Sequence, residues 1–430
     1  MSNSIAEKRY YWKIIVAILT AGWIVIWLYR TALTPIYPTI SEFFGGISDS
    51  QLGNISSYYF LGYVLMQIPS GLLVDRLGKK KVLIPGFLLF AIGALVVATS
   101  TTLTVLFIGS VIAGVGCGTF YGVAYSLTNE YVPESKKSFA TAIVNSGTAI
   151  GSGAGLVSSS YFVKSGIMSW QMLLLIIVFL ALIMIALFLK LAPNTLKTYK
   201  IKNYNNNKKL EDKNETVSVT TFFKPQMIAA YVIYFSTLYG YYLVDTWLPN
   251  FLETERGFQG TAIGIASSLF FFTAIPGALL FSRITDVFPK MKVSIIIILE
   301  IIAAFMLFFM VTTESQNLVI AGIMAYGFFG KLGVEPIIIS WLATFAPKKS
   351  VATTYGLFNF FGMLASVVAP TLTGFVSDNL GSKVYAFYLA IIINLVGTLL
   401  FYVINKVSPT RLLQDGLDAA GDLVGGCARE

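Results

Sequence analysis

Apolar segments of about 20 residues follow one another along almost the whole chain, broken by short polar turns. Each is long enough to cross the hydrocarbon core as a helix, and a backbone in lipid has to satisfy its own hydrogen bonds. Twelve spans can be placed: about residues 12–37, a second ending at the turn 71–81, then 82–99, 103–130, 139–163, 169–191, 226–251, 262–284, 293–311, 318–345, 351–376 and 385–404. A soluble chain of 430 residues would carry more than the 12% of charged residues found here, so an all-α integral membrane protein is expected.

The charges that remain are placed with a bias. Lys8–Lys13, Arg76–Lys81, Lys136–Lys137, the stretch after the sixth span, Arg283–Lys292, Lys348–Lys349 and Lys406 fall on one set of alternating loops. The other set holds little beyond Lys164, Arg256 and Lys383. Basic loops are retained on the cytoplasmic side, which puts both termini there, in a cell (plasma or inner) membrane. The formal net charge of +9 therefore reflects topology, and no nucleic-acid partner is expected. Lys8, Arg9 and Lys13 precede the first span with no small-residue cleavage site before its end, so that span reads as a retained signal anchor.

Several chemistries are excluded by residue type. The chain has no histidine, and its two cysteines, Cys117 and Cys427, have no zinc spacing. No metal site, cofactor or nucleophile–base constellation is expected, and hence no enzyme. The one long polar stretch, with six lysines between Lys197 and Lys213, reads as a flexible cytoplasmic linker; Asn214-Glu215-Thr216 within it matches a glycosylation acceptor that would stay unmodified on that side. Residues 408–430 change composition toward Gly, Ala, Asp and Leu and carry no functional weight. The expected organisation is an N-terminal six-helix bundle (1–192), the linker (193–222), a C-terminal six-helix bundle (223–407) and a tail (408–430).

The two bundles are copies. Adding 211 to a position brings Pro38 onto Pro249, Glu42 onto Glu253, Gly46 onto Gly257, Gly53 onto Gly264, Asp75 onto Asp286, Lys79 onto Lys290 and Lys81 onto Lys292. One register later, Lys136-Lys137-Ser138 meets Lys348-Lys349-Ser350. In the turn after the second span, Gly71 is placed to let two helices approach closely, and Gly78 to adopt a backbone conformation closed to other residues. With the pattern Gly71-x-x-x-Asp75-Arg76-x-Gly78-Lys79-Lys80 and its decayed copy at Ser282-x-x-x-Asp286, residues 10–405 resemble the major facilitator superfamily. That resemblance implies a small-molecule transporter: two pseudo-symmetric six-helix bundles, monomeric in the bilayer, around a cavity that opens alternately to each side, lined by spans one, four, seven and ten.

An ionisable residue inside a membrane span is a functional candidate by default. Arg30, in the first span, offers a fork of donors suited to a carboxylate, with Trp23, Trp27, Thr34 and Tyr37 on its face; snorkelling or a structural ion pair are the competing readings. Its setting, Tyr29-Arg30-Thr31-Ala32-Leu33-Thr34-Pro35, resembles the first span of organic-anion:proton symporters, in which the arginine holds the anion. The acid usual before that arginine is Tyr29 here, and Cys117 stands near the place of the acid expected in span four. Lys331 and Glu335, one turn apart in span ten, either neutralise each other or hold an anion and a proton respectively. Asp245 in span seven is a second proton candidate and a possible partner of Arg30, or a wetted residue near the mouth. Tyr59, Tyr121, Tyr241 and Asn359 are further candidates for the substrate surface. Gly71, Asp75, Arg76, Gly78, Lys79, Glu130 and Asp286 are assigned to gating, with Glu130 as partner of Arg76 or Lys79, and Glu300 to helix packing.

Proton-coupled symport of a small organic anion, a carboxylate above all, is the leading expectation. Gly147, Gly151, Gly153 and Gly155 in span five suit either close helix packing or the glycine motif of drug–proton antiporters, but Ser152 stands where that motif needs proline. Proton-driven efflux is therefore the alternative, and a non-transporting sensor a more remote one.

Overall fold

The computed structural model describes residues 2–133, 136–192, 219–346 and 351–407, and among these the side chains of all but residues 2–10, 75, 137, 138, 219, 351 and 352. Residues 193–218 of the expected linker, with the Asn214 acceptor, the side chains of Asp75 and Lys137, the pair Lys348–Lys349 and the tail with Cys427 lie outside the described residues.

Every regular element among the described residues is helical. The first crossing is α1 (Ser2–Ala32) and α2 (Tyr37–Phe43), joined by a short turn at Thr34–Ile36. There follow α3 (Asp49–Leu77), α4 (Lys79–Ala98), a fourth crossing divided into α5 (Leu103–Gly118) and α6 (Phe120–Tyr131), α7 (Lys137–Ser158) and α8 (Trp170–Leu191). The second half repeats the order: α9 (Pro225–Arg256), α10 (Thr261–Val287), α11 (Lys292–Thr312), a divided crossing of α12 (Gln316–Phe329) and α13 (Lys331–Leu342), α14 (Val351–Leu380) and α15 (Val384–Val407). The breaks fall at matching places, after Gly118 and at Gly330, which the sequence reading had as unbroken spans.

Ten helical stretches among the described residues are apolar and long enough to cross a membrane. α3 and α7 are long but are not among them. α3 carries Asn54, Gln67 and several serines, and α7 is rich in glycine and serine. Both lie where the halves meet, α3 against α14 and α7 against α10, so polar and small residues face protein there instead of lipid.

Local chemistry fixes the helix ends. Ser48 accepts from the Gln51 amide while the Gln51 side chain accepts from the Ser48 amide, a reciprocal cap that starts α3. α3 passes into α4 through Gly78 alone, whose φ of 90° is strained for any residue with a Cβ. The glycines of α7 are a packing seam. A Cβ at Gly147, Gly151 or Gly155 would lie 2.6, 2.5 or 2.6 Å from the carbonyl oxygens of Thr20, Ile24 and Leu28 on α1. A stride of four puts the three on one stripe, and backbone meets backbone along it. Gly153 points the other way, toward Phe272 of α10.

In the second half the turn after α10 is longer, with Pro289–Met291 inserted before α11. As a result Lys292 opens α11 as Lys79 opens α4, and donates to Ser340 of α13 as Lys79 donates to the carbonyl of Ser126 of α6. The gap-free alignment pairs Lys79 with Lys290; the structure corrects that to Lys292.

Candidate functional site

Four ionisable side chains converge between the halves, and they form two base–acid pairs. Arg30, in the last turn of α1, makes an ion pair with Asp245 of α9, which joins one half to the other. The guanidinium carbon lies 4.1 Å from the centre of the Trp27 ring, 4.4 Å from Phe60 and 5.3 Å from Tyr242. Trp27 stands one turn below Arg30 on the same helix. Ring faces attract a cation that water no longer reaches, so the arginine is held on several sides as well as at its carboxylate.

Lys331 is the first residue of α13, started there by the extended backbone of Gly330 (φ −78°, ψ −147°). A cation at a helix N-terminus opposes the helix dipole. Glu335, one turn on, meets the lysine at 2.9 Å, and the Tyr241 ring centre lies 5.0 Å from the ammonium. Exposure separates the two pairs. The side chains of Arg30 and Asp245 are 6% and 2% exposed, those of Lys331 and Glu335 16% and 20%. The first pair is a closed contact; the second faces a space from which a solute can approach.

Tyrosines connect the pairs. Tyr241 and its neighbour Tyr242 carry Lys331 and Arg30 respectively over their rings. Tyr234, two turns earlier on α9, donates to Glu335, and its ring stacks on Phe358 at 4.0 Å. Tyr121 of α6 is nearly half-exposed, within electrostatic reach of both Lys331 and Glu335. Its ring packs 4.7 Å from Tyr125, which donates to Asn145 at 2.6 Å. Asn359 of α14 donates to Gln67 of α3 at 2.7 Å, a second cross-half contact. Tyr59 is buried against Tyr29 and Phe60, next to the ring that holds Arg30.

The cleft is closed at one end. Asp378, near the end of α14, accepts from the amides of Asp49 and Ser50, so an acid of one half caps the start of α3 in the other. Lys383 donates to Asp49 at 2.6 Å, Ser377 donates to the same carboxylate, and Lys164 pairs with Glu253. Below this clamp Thr371 donates to Asn54 and approaches Ser57, and the backbones of α3 and α14 touch at Gly53 and Gly374. The end that carries Gly78 is different. A Cβ at Gly71, Gly122 or Gly356 would meet no atom within 4 Å. Gly71 was expected to seat a close helix approach; open space surrounds it instead.

Of the gating residues, Lys79 pairs with Glu130, a tie between α4 and α6 inside the first half. Arg76 and Asp286 are exposed at the same end. The Asp75 carboxylate lies outside the described side chains. Glu300 is buried on α11 and receives hydrogen bonds from Thr237 of α9 and Asn394 of α15, which ties three helices of the second half together.

Tyr234, Gln67, Phe60 and the Asp49–Asp378–Lys383 clamp were not anticipated. Tyr234 stands seven residues before Tyr241 and so shares its helical face, a signal present in the sequence. The clamp joins residues from opposite ends of the chain, and no local pattern announces it.

With this geometry in place, comparison with known proteins is informative. A family model described as Major Facilitator Superfamily matches residues 19–370 and 230–418. The chain is 22% identical over 395 residues to a hexuronate transporter of Bacillus subtilis, covering 88% of this chain and 90% of the other. It is 23% identical over 398 residues to a D-galactonate transporter of Escherichia coli O6:H1, covering 87% and 90%. Among solved structures, the inward-open xylose transporter XylE of E. coli superposes with a TM-score of 0.72 at 14% identity, over 90% of this chain and 95% of that one.

Proposed function

The chain belongs to the Major Facilitator Superfamily, a family of multi-pass membrane transporters and not enzymes, and from that premise we propose that it carries a small organic carboxylate together with a proton. The observation that supports this reading is the Lys331–Glu335 pair, partly exposed at the start of a broken helix, with the Tyr241 ring over the ammonium and the Tyr234 hydroxyl on the carboxylate. A carboxylate entering the cleft finds one ammonium that can accept it and one acid that a proton can displace. Relatives named for hexuronate and D-galactonate transport favour the same substrate class.

In this proposal Lys331 binds the carboxylate, Glu335 carries the proton, and Asn359, Tyr121 and Tyr241 shape the pocket. Arg30 and Asp245 form its far wall and add positive and negative charge there without leaving each other. Each acid is engaged by a base and each base by an acid, so the pairing itself favours neither substrate charge; the anion reading is supported by the relatives named for acid transport. The cycle is alternating access by a monomer. The halves 1–192 and 223–407, joined by 193–222 and followed by the tail 408–430, rock about the site, with the Gly78 end and both termini on the cytoplasmic side of a cell membrane. On that assignment the present form is open to the cytoplasm.

Purified protein in liposomes tests the proposal. With the outside acidic, at least one member of a panel of hexuronate, D-galactonate, aromatic and short-chain carboxylates should accumulate. No gradient-dependent uptake of any of them would sink it.

A further inference from the structure

We propose that the transport cycle is electroneutral, with one proton admitted for one monocarboxylate, because the Lys331–Glu335 pair can exchange only charge for like charge. This rests on the carboxylate reading above and goes beyond it to stoichiometry and to the permitted charge of the substrate.

The site contains two bases and two acids, and each base already touches an acid. As it stands, its net charge is zero. The two pairs differ in what they can release. Arg30 is buried, enclosed by Trp27, Phe60 and Tyr242, and tied across the halves to Asp245. Freeing it would strand a guanidinium and a carboxylate in a space that water does not reach, which is costly in low dielectric. Lys331 and Glu335 retain access to the cleft, so the exchange occurs there.

Consider an anion of charge −1 arriving at Lys331. Its carboxylate takes the place of Glu335 at the ammonium. Left ionised, Glu335 would have lost its cation and would keep the Tyr234 hydroxyl, with the anion itself beside it. Among the described residues Lys331 is the cation paired with it. A proton from the aqueous cleft joins the Glu335 carboxylate and removes that conflict; no bond other than O–H forms and none in the substrate breaks. The Tyr234 hydroxyl, which donates to the carboxylate in the empty site, can stay hydrogen-bonded to the acid.

The loaded site again sums to zero: Arg30 with Asp245, Lys331 with the substrate, Glu335 neutral. Empty and loaded forms can therefore both pass through the closed intermediate without carrying charge across the core, where charge is most expensive. A dianion would leave one negative charge over, and a neutral sugar would give Glu335 no reason to leave Lys331. The substrate class narrows to monocarboxylates, taken up in effect as the acid.

The experiment uses the full chain in liposomes with the best-accumulated monocarboxylate of the panel. A potassium gradient with valinomycin sets the membrane potential independently of pH. Uptake driven by the pH gradient should change by less than twofold when the potential is reversed, and the zero-flux condition should give one proton per substrate. The Glu335→Gln variant should lose accumulation, since its side chain cannot take up a proton, yet still exchange labelled for unlabelled substrate. Uptake that shifts tenfold with potential, a ratio of two protons, or undiminished accumulation by Glu335→Gln would each overturn electroneutrality while leaving carboxylate transport intact. Absence of all uptake would instead remove the carboxylate reading, and this inference with it.

Discussion

At the scale of single residues, the same chemical pairing serves two purposes, and burial decides which. Arg30 and Asp245 are sealed by rings and join the halves, whereas Lys331 and Glu335 meet within one helix at an edge the cleft reaches. Removing one partner of a buried pair costs about 3–5 kcal/mol, because the other is left charged and unpaired, while replacing both is far milder. Arg30→Ala and Asp245→Ala should therefore each lower thermal stability strongly, and the double variant should recover most of the loss. Thermal unfolding in detergent reads this directly; a double variant no more stable than the singles would show that the two side chains act independently. All four charges were legible in the sequence as ionisable groups inside spans. Helical spacing brings Lys331 to Glu335, whereas Asp245 stood in the sequence as one possible partner of Arg30 beside other readings. Arg30 and Asp245 are brought together by the packing of two halves, and no local period encodes that.

Among the elements, the seam between α1 and α7 shows how small residues replace the hydrophobic effect inside a membrane, where lipid is as apolar as the side chains it meets. Gly147, Gly151 and Gly155 let the backbones touch along three successive turns of α7. A Cβ at Gly151 would sit 2.5 Å from the Ile24 carbonyl oxygen, and an overpacked contact of this kind costs about 1–3 kcal/mol. Gly122 on α6 has no neighbour within 4 Å of such a Cβ, and alanine there gains up to about 1 kcal/mol of helix propensity. Gly151→Ala should lower the melting temperature and Gly122→Ala should leave it level or raise it. Equal effects from the two would contradict a seam that depends on backbone contact. Ten of the crossings were readable from apolar length, and the duplication from prolines and glycines repeating at one offset; α3 and α7 are too polar for apolar length alone to mark them. The breaks at Gly118 and Gly330 were not readable, since an apolar run with glycine in it looks the same whether the helix continues or starts again. The longer turn before Lys292 was hidden for a related reason: two lysines two residues apart satisfy the motif equally well.

For the whole molecule, the contacts between halves form a gradient. Asp49, Asp378 and Lys383 clamp one end, Gln67 and Asn359 join the middle, and open space surrounds Gly71 and Gly356 at the other. The site lies between, with Lys331 and Glu335 partly exposed. In the proposed cycle this form takes or releases its solute on the Gly78 side, and the clamp parts for the other. The central claim is that Lys331 receives the substrate carboxylate. A charge-assisted hydrogen bond contributes about 1.5–3 kcal/mol, or roughly 10- to 100-fold in affinity. The direct measurement is the equilibrium dissociation constant of the transported carboxylate for wild type and for Lys331→Gln, with folding of the variant verified by its melting temperature. The account predicts binding weaker by that factor in a folded variant; unchanged affinity would contradict it.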